Sequence, residues 1–299
     1  MDLRRLSSFL VLVDEGSFTR AARRLGITQP SLSQQIRTLE AEVGGPLVER
    51  LAKGIRLTAA GKALLPEARA AVRAAERAGT AARMALGLEA GELEVATLLS
   101  FTVGILPQAI MRWHARYPDM RVRMLEYTHR GLLEESVRAG AGDIALGPKP
   151  ASWDGAAESL GYEELVVILP HSDPLAGRPT LPLAALADRL WILFQPGHGL
   201  TDVVVTACRA AGFQPRVGVR TTQVAAAASL AAAGLGPAIV PDNVISPGLD
   251  ASVVRLDPPL VRELAAYTRS EWSPLAATFL EALREGSWKR HPGPEAVQL

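Results

Sequence analysis

Cysteine, aromatic residues and long apolar runs are all scarce in this chain of 299 residues. A single cysteine, Cys208, excludes an internal disulfide framework and a cysteine-rich metal site. No apolar run reaches the roughly 18 residues that a membrane-spanning helix needs, so we expect no contact with a membrane. The first residues resemble a secretion signal only superficially, because Asp14 and Glu15 close the apolar stretch and no small-residue cleavage site follows. These absences predict a cytoplasmic protein.

Signatures of catalysis are also missing. The sequence has no G-x-S-x-G elbow, no phosphate-binding P-loop and no H-E-x-x-H helix. Its five histidines share no helical spacing, which argues against a metal site. The acidic pair Glu163–Glu164 is adjacent in sequence and cannot share one face of a helix or strand, so we expect both carboxylates to be solvated. The sequence therefore predicts neither an enzyme nor a cofactor.

Positive charge is concentrated at one end of the chain. Residues 1–90 carry a net positive charge and the remainder a net negative one, although the whole sums to only +1. A basic N-terminal part joined to a mildly acidic body indicates that only the first part meets a polyanion.

Residues 16–44 carry the sharpest pattern, two short helices around a glycine turn. Ser17 or Thr19 can cap the first helix, and Gly26 allows the tight turn into a second helix. Thr28 is the cap candidate of the second helix, which tolerates Pro30 because that residue lies in the first turn. One face of this helix is apolar, formed by Leu32, Ile36, Leu39 and Val43. Its opposite face and leading turn present groups suited to base edges and phosphates in a major groove: Gln29, Pro30, Ser33, Gln34 and Arg37.

A basic hairpin is predicted to follow the second helix. Residues 48–51 and 55–57 alternate like two short strands around Ala52, Lys53 and Gly54. Lys53 would lie at the tip, with Arg50 and Arg56 nearby, which suits contact with phosphates or a minor groove.

An Ala/Arg-rich stretch over residues 62–88 has strong helix propensity. Apolar or small residues recur there at three- and four-residue steps, at Leu65, Ala68, Val72, Ala75, Gly79, Ala82 and Leu86. This spacing is typical of a two-helix contact, although a long helix packed on its own protein would show it as well.

Residues 1–90 resemble the DNA-binding domain and linker helix of LysR-type transcriptional regulators. The matching positions are Phe18, Ala21, Ala22, Leu25, Thr28, Gln29, Pro30, Ser31, Ser33, Ile36, Leu39, Glu40, Gly44, Leu47, Arg50, Leu57, Thr58 and Gly61. The resemblance implies that the helix of residues 28–43 enters the major groove and that the hairpin acts as a wing. It implies DNA contacts by Thr28, Gln29, Pro30, Ser31, Ser33, Gln34, Arg37, Arg50, Lys53 and Arg56. Gln34 stands where arginine is frequent in the family, which implies a changed base preference.

The remainder of the chain resembles the family's effector domain more loosely, with strands alternating with helices from about Gly91. That domain has two α/β lobes like those of periplasmic binding proteins, with a ligand cleft between them. We place lobe one at residues 91–161 and 269–299 and lobe two at residues 162–268. Cleft-lining loops imply effector contacts by Ser100, Phe101, Thr102, Thr128, Gln195, His198 and Gln223. Ser100 and Thr102 are equally well interpreted as helix caps, and His129 and His198 as surface histidines.

The predicted fold class is an α/β multidomain protein. It comprises a winged helix-turn-helix at residues 1–61, a linker and dimerisation helix at 62–90, and a two-lobed effector domain at 91–299. The predicted function is a LysR-type transcriptional regulator controlled by a small molecule, anionic or aromatic, bound between the lobes. Expected partners are pseudo-palindromic double-stranded promoter DNA, a second copy in a homodimer and further copies in a homotetramer, and RNA polymerase.

Two rival interpretations remain. A binding module or enzyme of periplasmic type would carry a signal sequence or a catalytic constellation. A ligand-independent architectural DNA binder would gain no thermal stability from any metabolite, whereas a sensor would.

Overall fold

The computed structural model describes residues 1–85, 91–286, 288 and 296–298. These residues form two compact units, the first built mainly from residues 1–90 and the second mainly from residues 91–299. Residues 86–90 of the predicted linker, with Leu86 of its apolar seam, lie outside the described residues. So do residues 287, 289–295 and 299 of predicted lobe one.

The N-terminal unit has the helix and strand order predicted for a winged helix-turn-helix. Its elements are α1 (Leu3–Glu15), α2 (Phe18–Arg24), α3 (Gln29–Val43), β1 (Val48–Leu51), β2 (Gly54–Leu57) and α4 (Ala59–Ala85). The Thr28 side chain accepts a hydrogen bond from the Ser31 N–H at 3.3 Å, which confirms the predicted cap of α3. Phe9, Leu12 and Leu39 are fully buried in a core shared by the three short helices. This apolar core fixes the crossing of α2 and α3.

The first half of α4 contributes to that same core. Ala68 is buried in it, and Leu65 and Val72 pack against it with their side chains partly exposed. Arg69 also pairs with Asp14 of α1 at 2.9 Å. The predicted apolar seam is therefore used within its own unit as far as Val72, whereas Ala75 is exposed.

The C-terminal unit alternates strands and helices. The strands are β3 (Gly91–Leu98), β4 (Met120–Tyr127), β5 (Ile144–Pro148), β6 (Ala157–Leu169), β7 (Thr180–Leu181), β8 (Leu190–Phe194), β9 (Arg216–Thr221), β10 (Ala238–Pro241), β11 (Ser252–Tyr267) and β12 (Val297–Gln298). The helices are α5 (Leu99–Val103), α6 (Leu106–Arg116), α7 (Arg130–Arg138), α8 (Gly199–Ala210), α9 (Val224–Ala232) and α10 (Pro274–Arg284), with 3-10 turns at Leu183–Leu186 and Asp242–Val244. Strands thus alternate with helices from Gly91 onward, as the sequence predicts.

Two long antiparallel strands, β6 and β11, join the lobes. The main sheet has the order β10-β6-β11-β5-β3-β4, with β7 and β12 also paired to β11. Near one end of β6, Leu165–Ile168 pair with β10, whereas Leu264–Tyr267 at the far end of β11 pair with β5. The parallel pair β8–β9 forms a separate small sheet. This mixed, curled arrangement confirms the predicted two-lobed α/β fold, while the exact lobe boundaries stay predictions.

Each lobe has its own apolar core. In lobe one Trp113 of α6 packs edge-on against Phe279 of α10, with ring centroids 5.7 Å apart. In lobe two Trp191, Phe194 and Leu165 are buried beneath α8 and α9. Among the described helices, none is long and apolar enough to cross a bilayer. Across all residues that the structure describes, no three histidine, cysteine or acidic side chains form a group that could hold a metal ion.

Candidate nucleic-acid interface and ligand cleft

The exposed face of α3 carries most of the predicted DNA contacts. Thr28, Pro30, Ser31, Gln34 and Arg37 are exposed, and Gln29 is half-buried. The apolar side of the helix is anchored in the core, so these polar groups point away from the protein. Since Thr28, Pro30 and Ser31 are exposed, the first turn of α3 is accessible to a groove.

Ser33 belongs to the same helix but does not lie on its exposed face. Its side chain is buried, and its hydroxyl accepts hydrogen bonds from Gln29 Nε2 at 2.9 Å and Arg50 Nη2 at 3.1 Å. The Arg50 guanidinium also lies over the Phe18 ring, 4.2 Å from its centroid. Ser33 thereby links the leading turn of α3 to the hairpin strand β1, and its geometry favours positioning these elements over reading a base.

The hairpin β1–β2 forms the predicted wing. It is held to the turn between α1 and α2 because the Ile55 N–H donates to the Gly16 carbonyl at 3.1 Å. Gly54 has φ +106°, and a Cβ there would lie 2.7 Å from the Gly16 oxygen, so only glycine allows this approach. Lys53 is exposed at the tip, whereas Arg56 is paired with Glu49 at 2.6 Å on the same hairpin. Lys53 is thus the better placed cation for a phosphate.

Two of the predicted effector residues, Ser100 and Phe101, lie where lobe one packs against lobe two. Ser100 and Phe101 are buried in α5, which packs against α9 and the 3-10 turn Asp242–Val244. The Thr102 hydroxyl donates to the Leu99 carbonyl at 2.8 Å, a contact within its own helix. Gln223 is the exposed N-cap residue of α9. Ser100 and Phe101 are therefore at the lobe junction, and Thr102 makes a local bond.

The backbone carbonyls of Thr128 and Gln195 accept hydrogen bonds from the start of α8 and the loop before it. The Thr128 carbonyl accepts from the Gly199 N–H at 2.8 Å, which connects the loop after β4 to the start of α8. The Gln195 carbonyl accepts from the His198 N–H at 3.1 Å, while the Gln195 side chain is exposed. His129 Nε2, in the loop after β4, lies 3.2 Å from Asp202 Oδ2 in the first turn of α8. These contacts hold the first turn of α8 in place.

His198 is a buried N-cap and not a surface histidine. Its ring stacks on Phe194 with centroids 4.6 Å apart, and its Nδ1 accepts from the Leu200 N–H at 3.2 Å. Because Nδ1 is an acceptor, the neutral ring carries its proton on Nε2. Burial lowers the pKa of His198 below its ordinary value, and the Coulombic effects of the Arg262 guanidinium and of the His129 ring lower it further. The ring is therefore neutral at pH 7.

The expectation of solvated carboxylates at Glu163 and Glu164 is wrong. Both side chains are buried, on a strand that lies between β10 and β11 in the sheet. Glu163 accepts hydrogen bonds from Arg262 Nε and from Asn243 Nδ2, the latter at 2.7 Å. Glu164 accepts from Arg255 Nε at 2.7 Å. Each carboxylate on β6 thus meets its own arginine from β11.

Sequence reasoning missed Glu163, Asn243 and Arg262 as residues of the lobe junction. Only the pairing of β6 with β11 places Arg262 opposite Glu163, 99 positions apart in the chain. The Arg262 guanidinium lies 5.4 Å from the Phe101 ring centroid, so it reaches the predicted effector residues of lobe one.

Comparison with known proteins decides the family. A model of the bacterial regulatory helix-turn-helix protein, LysR family, matches residues 3–62, and a model of the LysR substrate binding domain matches residues 86–288. The chain belongs to the LysR family. It is a DNA-binding transcriptional regulator with a small-molecule effector domain, and its relatives are regulators, not enzymes.

Individual relatives agree with this assignment. The chain is 34% identical over 253 residues to the regulator BudR of Raoultella terrigena, covering 82% of this chain and 86% of the relative. It is 32% identical over 240 residues to a probable hydrogen peroxide-inducible genes activator of Mycobacterium leprae, covering 80% and 77%. Among solved structures, the full-length LysR regulator CbnR in complex with its target DNA matches with a TM-score of 0.67 at 27% identity, covering 95% and 99%.

Proposed function

We propose that this LysR-family regulator reads duplex DNA with α3 in the major groove and the β1–β2 wing on the adjacent backbone. The single observation that carries the proposal is the bond from Arg50 to Ser33, which holds the wing beside the exposed face of α3. On α3, Gln29, Pro30, Ser31, Gln34 and Arg37 are the proposed groove contacts, with Thr28 at its capped start. On the hairpin, Lys53, Arg50 and Arg56 supply positive charge toward phosphates.

Two copies are proposed to act together. The part of the α4 seam beyond Val72, where Ala75 is exposed, is the proposed dimer contact. The paired DNA-binding domains would recognise two half-sites related by a two-fold axis, so the target DNA would be pseudo-palindromic. The same proposal includes pairing of dimers into tetramers and contact with RNA polymerase. It also divides the chain into a DNA-binding domain that ends at residue 61, a linker helix that ends at residue 90 and an effector domain at residues 91–299. A cytoplasmic location follows from its DNA target.

Control is proposed to come from an anionic or aromatic small molecule at the lobe junction. In support, Arg262 of β11 lies 5.4 Å from the ring centroid of Phe101 in α5, its charge acts on the buried His198 of lobe two, and Ser100 is buried in α5 next to Phe101 in the chain. Thr102, Thr128, Gln195 and Gln223 lie on the loops and helix starts that frame it. A molecule bound between lobes stabilises one relative arrangement only if it has a higher affinity for that arrangement.

Thiol-based redox control has no support in this chain, although one relative is named for peroxide-inducible genes. Cys208 is fully buried in lobe two, and burial raises the pKa of its thiol to about 12. A protonated, inaccessible thiol reacts slowly with peroxide, and the sequence holds no second cysteine for an internal disulfide.

Selection from random duplexes tests the DNA-reading proposal. The full-length protein should enrich two inverted half-sites whose centres lie about one helical turn, ~10 bp, or a multiple of it apart. Gln34→Ala should change the bases enriched within each half-site, because Gln34 is exposed on α3. Enrichment of a single half-site would contradict the dimer, and no enrichment would contradict DNA reading.

A thermal-shift screen of anionic and aromatic metabolites tests the effector proposal. A true effector should raise the melting temperature of the full-length protein and alter its complex with the selected DNA. The Ser100→Ala/Thr102→Ala double variant should lose that response and keep DNA binding. Equal loss of both activities would show that the two residues are structural.

A further inference from the structure

The start of the β1–β2 wing is bound by the carboxylate of Glu40. Glu40 lies near the end of α3, and its Oε1 atom accepts hydrogen bonds from the Leu47 N–H at 2.9 Å and from the Val48 N–H at 3.3 Å. Leu47 and Val48 are both buried. Backbone N–H groups of buried residues are almost always paired in native proteins, so this one oxygen supplies an acceptor that two such groups need.

The same part of the wing is also bound to the start of α4. The Thr58 N–H donates to the Leu47 carbonyl at 3.1 Å, and the Thr58 hydroxyl donates to the Pro46 carbonyl at 2.6 Å. That hydroxyl accepts from the Gly61 N–H at 3.0 Å, in the first turn of α4. A Cβ at Gly61 would collide with the Leu47 oxygen, so only glycine allows this approach. Residues 46–48 and 58, which we call the wing root, are therefore bonded to α3 and to α4.

The wing root supplies the second fixed point of the hairpin. The first lies at the cross-strand partners Arg50 and Ile55, which bond to Ser33 and to the Gly16 carbonyl. One fixed point leaves a hairpin free to rock, whereas two points set its tilt. If the root were released, the exposed Lys53 at the tip would move with every change of tilt.

Glu40 and Thr58 have little to offer DNA directly. Both side chains are partly buried, and the oxygens of both are bonded to the wing root. A carboxylate is moreover repelled by phosphates. Any effect of these two residues on DNA binding therefore passes through the position of the wing.

We propose that Glu40 and Thr58 are positioning residues that fix the wing root and thereby hold Lys53 where it meets a DNA phosphate. This inference rests on the proposed function, since it presupposes that the wing contacts phosphates. Release of the root removes the contact of the wing tip. It leaves base recognition by α3 intact, because Leu32, Ile36 and Leu39 keep that helix in the core.

Two opposite substitutions of Glu40 separate the reach of its side chain from its charge. Glu40→Asp keeps the charge and shortens the side chain by one methylene group, so its oxygen no longer reaches both N–H groups. Glu40→Gln removes the charge and keeps an acceptor oxygen at the same reach. Fluorescence anisotropy of the full-length protein on a duplex of arbitrary sequence, at several salt concentrations, gives the slope of log K against log salt. Glu40→Asp should reduce the magnitude of this slope by about one, as the loss of one phosphate contact does, and Glu40→Gln should retain it.

Thr58 gives an independent pair of variants. Thr58→Val keeps the branched shape and loses the hydroxyl bonds, so it should reduce the slope as Glu40→Asp does. Thr58→Ser keeps the hydroxyl and should retain the slope. The matched control is Glu42→Asp, the same shortening two positions further along α3 at a carboxylate that bonds to Arg5, and it should bind as the wild type does.

A combined variant tests whether the effect passes through the wing tip. Glu40→Asp/Lys53→Ala should have the slope of Lys53→Ala alone, because one contact can be lost only once. Duplex selection with Glu40→Asp should enrich the same bases as the wild type. Circular dichroism confirms that each variant is folded at the temperature of measurement.

Several results would overturn the inference. It fails alone if Lys53→Ala reduces the slope and Glu40→Asp does not, or if the two losses add in the combined variant. Equal reductions for Glu40→Asp and Glu40→Gln would assign the effect to charge, and altered base enrichment would assign it to a shift of α3. An unchanged slope for Lys53→Ala would remove the phosphate contact of the wing itself, and the proposed function would then fail together with this inference.

Discussion

Glu163 and Arg262 face each other as cross-strand partners on β6 and β11, and both are almost fully removed from solvent. These two strands are the long elements shared by the lobes, so the ion pair lies at the junction. A buried charge without its partner is strongly destabilising, whereas a neutral pair of similar size is tolerated far better. The pair therefore contributes to the stability of the junction, where the effector is proposed to bind.

Single and double replacement of this pair should differ in stability. Arg262→Ala leaves the Glu163 carboxylate buried without its cation and should lower the free energy of unfolding by about 3–5 kcal/mol. Glu163→Gln/Arg262→Gln removes both charges and should lower it by much less. Urea denaturation monitored by circular dichroism measures both values. Equal losses for the single and double variants would show that the charges themselves contribute little.

Stability of the effector domain should depend on His198 in mildly acidic solution. The folded state depresses the pKa of His198, so below about pH 6.5 the unfolded chain binds a proton that the folded chain resists. The free energy of unfolding therefore falls as the pH drops from about 6.5 toward the lowered pKa of His198 in the folded state. Above about pH 6.5 this group has no effect on the free energy of unfolding. His198→Asn should flatten this part of the curve. Melting temperatures recorded between pH 5 and 8 would reveal an unchanged slope if the assignment is wrong.

The wing tip should contribute a phosphate contact that does not depend on sequence. Lys53→Ala should weaken binding to all duplexes alike and reduce the magnitude of the slope of log K against log salt by about one. Lys53→Arg should retain both, because it keeps the charge. Fluorescence anisotropy at several salt concentrations measures the slope. The matched control is Arg216→Ala, an exposed cation on β9 of the other unit, and an unchanged slope for Lys53→Ala would refute the wing assignment.

Ser33 and Gln34 are neighbours on α3 with different expected roles. Ser33→Ala removes the acceptor that Gln29 and Arg50 share, so it should cost about 1 kcal/mol of stability and leave base preference intact. Gln34→Ala should leave stability almost unchanged and alter base preference, because the side chain is exposed. Denaturation and duplex selection together separate the two. A changed base preference for Ser33→Ala at wild-type stability would make Ser33 a direct contact.

The sequence alone determined the winged helix-turn-helix fold of the N-terminal DNA-binding domain. Helical spacing of apolar residues, the Thr28 cap, the turn at Gly26 and the basic hairpin are local signals, and local hydrogen bonds and packing act over a few residues. The α/β character of the body was also predictable, because strand-like runs such as those of β5 and β8 differ in composition from the helices between them.

Only the tertiary structure decided the chemistry of the lobe junction. Glu163 and Glu164 look solvated in sequence, and nothing near them in the chain predicts that Arg262 and Arg255 would cover them. Ser33 likewise looked exposed until Arg50 and Gln29 were seen to converge on its hydroxyl. Burial and pairing depend on which distant strands and helices come together, and that information is not carried by local periodicity.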